Sequence, residues 1–460
     1  MNYQSPFSWR YASQPMRRIW SEHHKREVWR KIWLTLAEVQ MEYGLVGGDQ
    51  VEDIRAHADQ INLPRALEIE AEIHHDLMAE LKTFAEQCAV GGGVLHIGAT
   101  SMDIEDNADI LRMKEALVLI LKRLDEVLLA FADRIQETAA VPSMAFTHLQ
   151  PAEPTTLGYR LASHAQDLLN CRDALRSEGV EIRGKGFKGA VGTAAAYVDL
   201  IGLDNFQPFE ELLSRRLGIK FFPVTTQTYP RSQDYRLVSA LAGLGAILSK
   251  FAFDLRLLQS PPIGEWAEPF GKKQVGSSAM PFKRNPINAE KVDSLARLLG
   301  GLPNIAWQNA SQSLLERTLD DSANRRSLLP EAFLITDELL GVTLRLIRGM
   351  QFNLSAIKRN LENYAPFAAT ERILMALARA GADRQVMHEK LRGYSITAWD
   401  AVQTGKPNPL MALLQADTDV SALLGSDQVA ALFDVAGYTG IAEQRAKEIV
   451  DLIQDAARSD

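Results

Sequence analysis

Two hydroxyls, two cations and an amide are packed into the run Gly276-Ser277-Ser278-Ala279-Met280-Pro281-Phe282-Lys283-Arg284-Asn285-Pro286. Such a donor-rich, positively charged segment suits a reaction that builds negative charge on a substrate carboxylate. Small residues at its start allow it to move, and Pro286 fits the first turn of a following helix. Backbone N–H groups near a helix start attract anions. On composition alone, a polar surface loop is the competing reading.

Histidine is the other candidate for proton chemistry, because imidazole titrates near neutral pH. Three of the histidines sit in suggestive surroundings: His75 before Asp76, His96 in His-Ile-Gly-Ala-Thr-Ser, and His148 in Thr-His-Leu-Gln-Pro-Ala. His23, His24, His57, His74, His164 and His388 have no such context and read as surface or structural groups. With only Cys88 and Cys171 and no H-E-x-x-H pattern, neither a metal site nor a cofactor is expected. The Gly-rich stretch from Gly184 to Thr193 lacks the Walker order and no strand precedes it. It reads as a connecting loop that approaches a ligand.

The elements that must position these residues are helices. Ile110, Met113, Leu117, Ile120, Leu124, Val127 and Phe131 recur at steps of three and four, which predicts a long helix from Asp106 to about Glu137, capped by Asp106 or Asn107. Leu237, Leu241, Leu244, Leu248, Phe251, Leu255 and Leu258 predict a second, and Thr155 or Thr156 caps a third that carries Leu157, Leu161, Leu168 and Leu175. Further helical patterns cover about Ile287 to Ala310 and Leu328 to Met350, and strand-like alternation is scarce. Five long helices with narrow apolar seams imply an all-α chain built on an elongated bundle. Breaks in the pattern divide it into 1–105, 106–351 and 352–460, with loops expected at Gly405 to Pro409 and Gly425 to Gln428.

Composition narrows the function. The 460 residues are 46% hydrophobic and 23% charged, an ordinary globular profile, and 50 basic against 58 acidic residues give a net charge of -8. No Lys/Arg tract offers a footprint for nucleic acid, so an anionic ligand must be held by a local cluster. No run of roughly 18 uninterrupted apolar residues predicts a membrane span, and the low cysteine usage fits a reducing cytoplasm.

The order of residues from Gly276 to Asn285 matches GSS-x-MP-x-K-x-N, and on it the chain is identified as resembling the fumarase and aspartase superfamily. His96 to Ser101 with Asp106-Asn107, and Thr147 to Ala152, are similar to the other two characteristic regions. Arg10-Tyr11-Ala12-Ser13, His75-Asp76, Gln227-Thr228-Tyr229 and Glu316 to Arg326 resemble the adenylosuccinate lyases within it, over nearly the whole chain and weakening after about Gly393. The resemblance implies a three-domain all-α fold and a homotetramer whose sites are shared between subunits. It also implies β-elimination of fumarate from adenylosuccinate and from the succinyl-carboxamide ribotide SAICAR.

By that resemblance Ser277 is the base and His148 the acid, the latter paired with Glu290, while His75 lies near the leaving group and His96 near the substrate. A serine needs a cationic, donor-rich surrounding to act as a base, and Lys283 with the loop N–H groups would supply it. Thr100, Ser101, Gln227, Lys283 and Asn285 are then expected at the succinyl carboxylates. Arg10, Tyr11, Arg317, Ser322 and Arg326 are expected around the phosphate or succinyl group. The alternatives are another lyase of the superfamily, such as argininosuccinate lyase or a carboxymuconate cycloisomerase, and a non-catalytic, crystallin-like relative.

Overall fold

The seam from Ile110 to Phe131 is buried at every position, on a helix that runs from Ser101 to Thr138 in the computed structural model. The structure describes residues 3–276, 278–434 and 437–458. The expected cap at Asp106 or Asn107 is corrected: both lie inside the helix, fully buried. Asp106 accepts from the Tyr229 N–H and from Arg231 at 2.9 Å each, and Asn107 exchanges two 3.1 Å bonds with the Gly186 backbone. Short polar side chains that commonly cap helices are here spent on distant chain segments. The start is instead set where the Thr100 N–H donates to Asp103 at 3.0 Å.

The Gly184 to Thr193 stretch is an anchor for that start. Buried Lys185 pairs with buried Asp103, which also accepts the N–H groups of Lys188 at 3.1 Å and Gly189 at 3.2 Å. Lys188 pairs with Glu210. The loop cations are thus consumed inside the protein, and they fix the position of Thr100 and Ser101.

The other long helices are Leu157–Glu181, Ser232–Gln259, Ile287–Ser311 and Asp320–Gly349. Thr156 caps the first of these, its Oγ1 accepting from Tyr159 N–H at 3.1 Å. The helix Ser232–Gln259 is long and apolar enough to cross a membrane by length and composition; it buries Leu237, Val238, Leu241, Leu244, Leu248, Phe251 and Leu255 in the core.

All five helices run through two compact units. One comprises Met1–Leu124, Cys171–Ala246 and Ser294–Gly341, the other Asp125–Asn170, Ile247–Asp293 and Val342–Asp460. In the first unit, an added Cβ at Gly245 would lie 2.9 Å from Leu299, so the bare glycine lets two helices approach closely. In the second, Phe251 meets Phe131 edge-on at 5.0 Å and His164 at 5.6 Å. The second unit also holds a separate core of Ile373, Leu377, Leu391, Leu410, Leu414 and Val429 from the helices after Leu354. The break near Phe352 is a short strand pair, Trp266–Ala267 with Gln351–Phe352, followed by Asn353 as the cap of Leu354–Arg379. The expected loop at Gly425 to Gln428 shrinks to Gly425, whose φ of 72° turns the chain directly into the helix Ser426–Leu432.

One element was not expected. Pro142–Thr147 and Gln150–Thr156 form an antiparallel hairpin with a bulge between Met144 and Phe146. Its three prolines, Pro142, Pro151 and Pro154, are tolerated because a two-stranded ribbon consists of edges alone.

Candidate active site

The helix Asp76–Gln87 begins at His75, whose extended backbone and Nδ1 cap it through a long 3.5 Å contact from the Met78 N–H. An accepting Nδ1 leaves the ring proton on Nε2, which faces Ser101 Oγ at 3.4 Å. The chain thus joins two regions of sequence at one exposed pair. His96 lies deeper, held at a left-handed φ of 71° with its Nδ1 accepting from Trp33 Nε1 at 3.0 Å. Burial, aided by nearby His75, holds its imidazole below the ordinary pKa, so it is neutral at pH 7.

The next residues along, Asp76 and Met102, enter a cleft lined also by Trp20, Glu22, Lys25, Trp29, Glu105, Asp109, Arg112, Arg317, Ser322, Arg325 and Arg326. Arg326 is 55% exposed and lies 2.9 Å from Asp76, which Lys25 approaches to 3.9 Å. Burial alone would raise the Asp76 carboxyl, and Arg326 and Lys25 more than offset this, holding it below the ordinary value. Arg317 is aimed by Asp321 at 2.8 Å, and Asp321 also takes Arg231 at 2.7 Å. Arg325 is fully enclosed by Asp234 at 2.9 Å, the Tyr229 hydroxyl at 2.7 Å and Asp109 at 3.2 Å. A rigid buried lattice of charges therefore presents Arg317, Ser322 and Arg326 to solvent. Guanidinium groups so placed are suited to bidentate contact with phosphate or carboxylate.

The remaining expected residues divide. The Gln227 N–H donates to the Glu316 carbonyl at 3.1 Å, which brings Gln227 beside the segment carrying Arg317. Arg10 and Tyr11 do not line the cleft. The neighbouring Ala12 and Ser13 N–H groups are tied to Glu338 and Asp337, about 16 to 18 Å along the helix from Arg326 at ~1.5 Å per residue.

In the second unit, the Ser277 position lies outside the described residues. Around it the loop is closed by Asn285 Nδ2 donating to the Gly276 carbonyl at 3.0 Å, and a side chain at Gly276 would overlap the Lys283 carbonyl. Lys283 is exposed. The expected anion preference of the following helix is corrected. Glu268, itself buried, already accepts the N–H groups of Asn288 and Ala289 at 3.1 Å, so the helix start is neutralised from within. Pro286 stands at the cap position of the first turn, its carbonyl accepting the Glu290 N–H at 2.9 Å.

His148 stands at the hairpin tip with Leu149, at φ of 54° and 59°. A two-residue turn with both φ positive normally calls for Asn and Gly, so His and Leu here hold a strained conformation, with His148 exposed at the tip. His148 and Glu290 are both exposed, and neither has an ion-pair or hydrogen-bond partner through its side chain among the described residues. Within one chain they are not paired.

Sequence reasoning missed Glu22, Lys25, Trp29, Glu105, Asp109 and Arg112. The available signal was a second stripe on the Ser101 helix, Ser101, Glu105, Asp109 and Arg112, at steps of three and four beside the apolar seam.

Comparison with known proteins places this geometry. The family described as Lyase matches residues 17–300, and that described as Adenylosuccinate lyase C-terminus matches residues 366–450, so the likeness does not fade after Gly393. Adenylosuccinate lyase of Saccharomyces cerevisiae is 38% identical over 458 residues, 98% of this chain and 94% of that one. The Schistosoma mansoni enzyme is also 38% identical, over 90% of this chain and 88% of its own. Among solved structures, the 3-carboxy-cis,cis-muconate lactonizing enzyme of Pseudomonas putida superposes with a TM-score of 0.86 at 25% identity, covering 98% and 99% of the two chains. A fumarate lyase of Mesorhizobium gives 0.85 at 23% identity, covering 98% and 100%. The chain is a lyase with the all-α long-helix fold of the fumarase and aspartase superfamily, and it belongs to the adenylosuccinate lyase family.

Proposed function

We propose that the chain eliminates fumarate from adenylosuccinate, leaving AMP, and from SAICAR, leaving the aminoimidazole carboxamide ribotide AICAR. The observation that carries this is the cleft lined by Arg317, Ser322 and Arg326 together with Asp76 and Met102, the residues that directly follow the His75–Ser101 pair in the chain. The arginines suit a phosphate, and the neighbouring His75–Ser101 pair suits a succinyl group. Ser277 takes the proton from the carbon beside a succinyl carboxylate. Lys283, Asn285, Thr100 and Ser101 stabilise the charge that develops there, and His148, oriented by Glu290, returns a proton to the departing nitrogen. His75 sits at the leaving group, His96 holds the substrate as a neutral donor, and Gln227 completes the succinyl end.

We further propose a cytoplasmic homotetramer with shared sites, built from the segments 1–105, 106–351 and 352–460. Two features support sharing: exposed His148 and Glu290 have no side-chain partner among the described residues, and Arg10 with Tyr11 is anchored well away from Arg326. Cys88 and Cys171 are free thiols, both pushed up to about 11 by burial, and they suit a reducing compartment.

Kinetics of Arg326→Ala on both substrates test the common anchor. A charge-assisted contact contributes roughly 1.5–3 kcal/mol, so kcat/KM should fall about ten-fold or more, by similar factors, on an assembly of normal size. Unchanged KM for both would remove Arg326 from the site, and a loss for one substrate alone would refute a shared phosphate anchor.

A further inference from the structure

The cleft that holds Arg326 is lined by the four carboxylates Glu22, Asp76, Glu105 and Asp109, and three of them are paired with a lysine or arginine. Glu22 lies 2.8 Å from Lys25, Asp76 lies 2.9 Å from Arg326, and Asp109 lies 3.2 Å from Arg325. Glu105 lines the same cleft, and its side chain has no ion pair or hydrogen bond among the described residues. It sits one turn beyond Ser101 and one turn before Asp109, half-buried. Asp76 from the helix Asp76–Gln87, Asp109 one turn along its own helix and Arg326 from the helix Asp320–Gly349 line the cleft with it, and the buried neighbour Asp106 adds a further negative charge. Glu22, Lys25, Arg112, Arg317 and Arg325 complete the charged lining. With the charges of three carboxylates set against that of one arginine, the ionised form of Glu105 is the disfavoured one. Burial first, then those carboxylates, push its pKa up to about 8.

A phosphate monoester, with its second pKa near 6, brings close to two further negative charges into this cleft. We propose that Glu105 is a positioning residue that admits phosphate-ester ligands in its protonated form, donating its carboxyl O–H to a ligand oxygen, so that binding above neutral pH draws one proton from solvent. This rests on the reading of the cleft as the phosphate end of the site. An ionised Glu105 would stand against the phosphate with no cation of its own. A neutral one adds a donor to the cleft that the arginines line.

The test is calorimetric titration of the full-length protein with AMP, from about pH 7 to about pH 9.5, in two buffers of different ionisation enthalpy. For the native chain, affinity should weaken by about ten-fold or more across that range, with a proton taken up on binding. For Glu105→Gln, neutral and of the same shape, affinity should vary less than about two-fold and no proton should be taken up. A native chain with flat affinity would overturn the proposal. So would a Gln variant that weakens in parallel with it, or one that already binds AMP far more weakly at neutral pH. Arg326→Ala, measured alongside, separates the underlying reading: unchanged AMP affinity in that variant refutes the phosphate site itself, whereas parallel pH curves refute Glu105 alone.

Discussion

Asp76 illustrates how a single side chain prepares a site. It keeps Arg326 extended over the cleft and is itself kept ionised by that arginine and by Lys25. Glu105, a turn along the facing helix, is its opposite, a carboxyl whose charge the fold opposes. Because its folded pKa lies above the unfolded one, the folded state binds the extra proton between the unfolded carboxyl range near 4.3 and about pH 8, and stability falls as pH rises through that window. Glu105→Gln should therefore gain thermal stability over the native chain progressively from about pH 5 to about pH 8, with a constant difference beyond. Melting temperatures that track each other across the range would contradict this. At the signature loop, Ser277→Ala should abolish turnover while leaving AMP binding intact. Lys283→Ala should cost roughly 3–4 kcal/mol in kcat/KM, as measured by steady-state fumarate release. The loop residues were legible because their order is specific. Glu105 was not, because what marks it is the lack of an ion-pair partner in a cleft built by helices from three parts of the chain.

The long helices were legible from apolar spacing alone, since each seam is buried along its length. The start at Thr156 was legible too, and the start of the helix Ser101–Thr138 was not. Asp106 and Asn107 have the chemistry of caps, and only the tertiary partners Tyr229, Arg231 and Gly186 reveal why the helix begins earlier, at Ser101. That start depends on Asp103, which gathers Lys185, two loop N–H groups and the Thr100 N–H. Removing one partner of a buried pair costs about 3–5 kcal/mol, so Asp103→Ala should lower stability by that much in urea unfolding and should also depress kcat by loosening Thr100 and Ser101. A loss under about 1 kcal/mol would show that the loop holds the helix without it. The hairpin was hidden for a different reason. Its strands contain prolines and its turn lacks Asn-Gly, so the signal was replaced by the strain that exposes His148.

Across the whole molecule, the groups proposed for one reaction are presented singly, as an exposed histidine on a hairpin, an exposed lysine loop and an arginine cleft. Assembly of several chains would bring them together. Mixing inactive His148→Ala and Ser277→Ala proteins under demonstrated subunit exchange should restore part of the activity, because some mixed sites receive both intact residues. Exchange without recovery would rule out shared sites. The superfamily was legible because its motif is long. The narrower activity depended on the arginines from Arg317 to Arg326, whose common cleft appears only in the fold. The most direct test is incubation of the purified chain with adenylosuccinate, following AMP and fumarate together. The two products should appear in equal amounts, and the Ser277→Ala protein should release neither; intact adenylosuccinate alongside cleavage of argininosuccinate or turnover of a carboxymuconate would contradict the assignment.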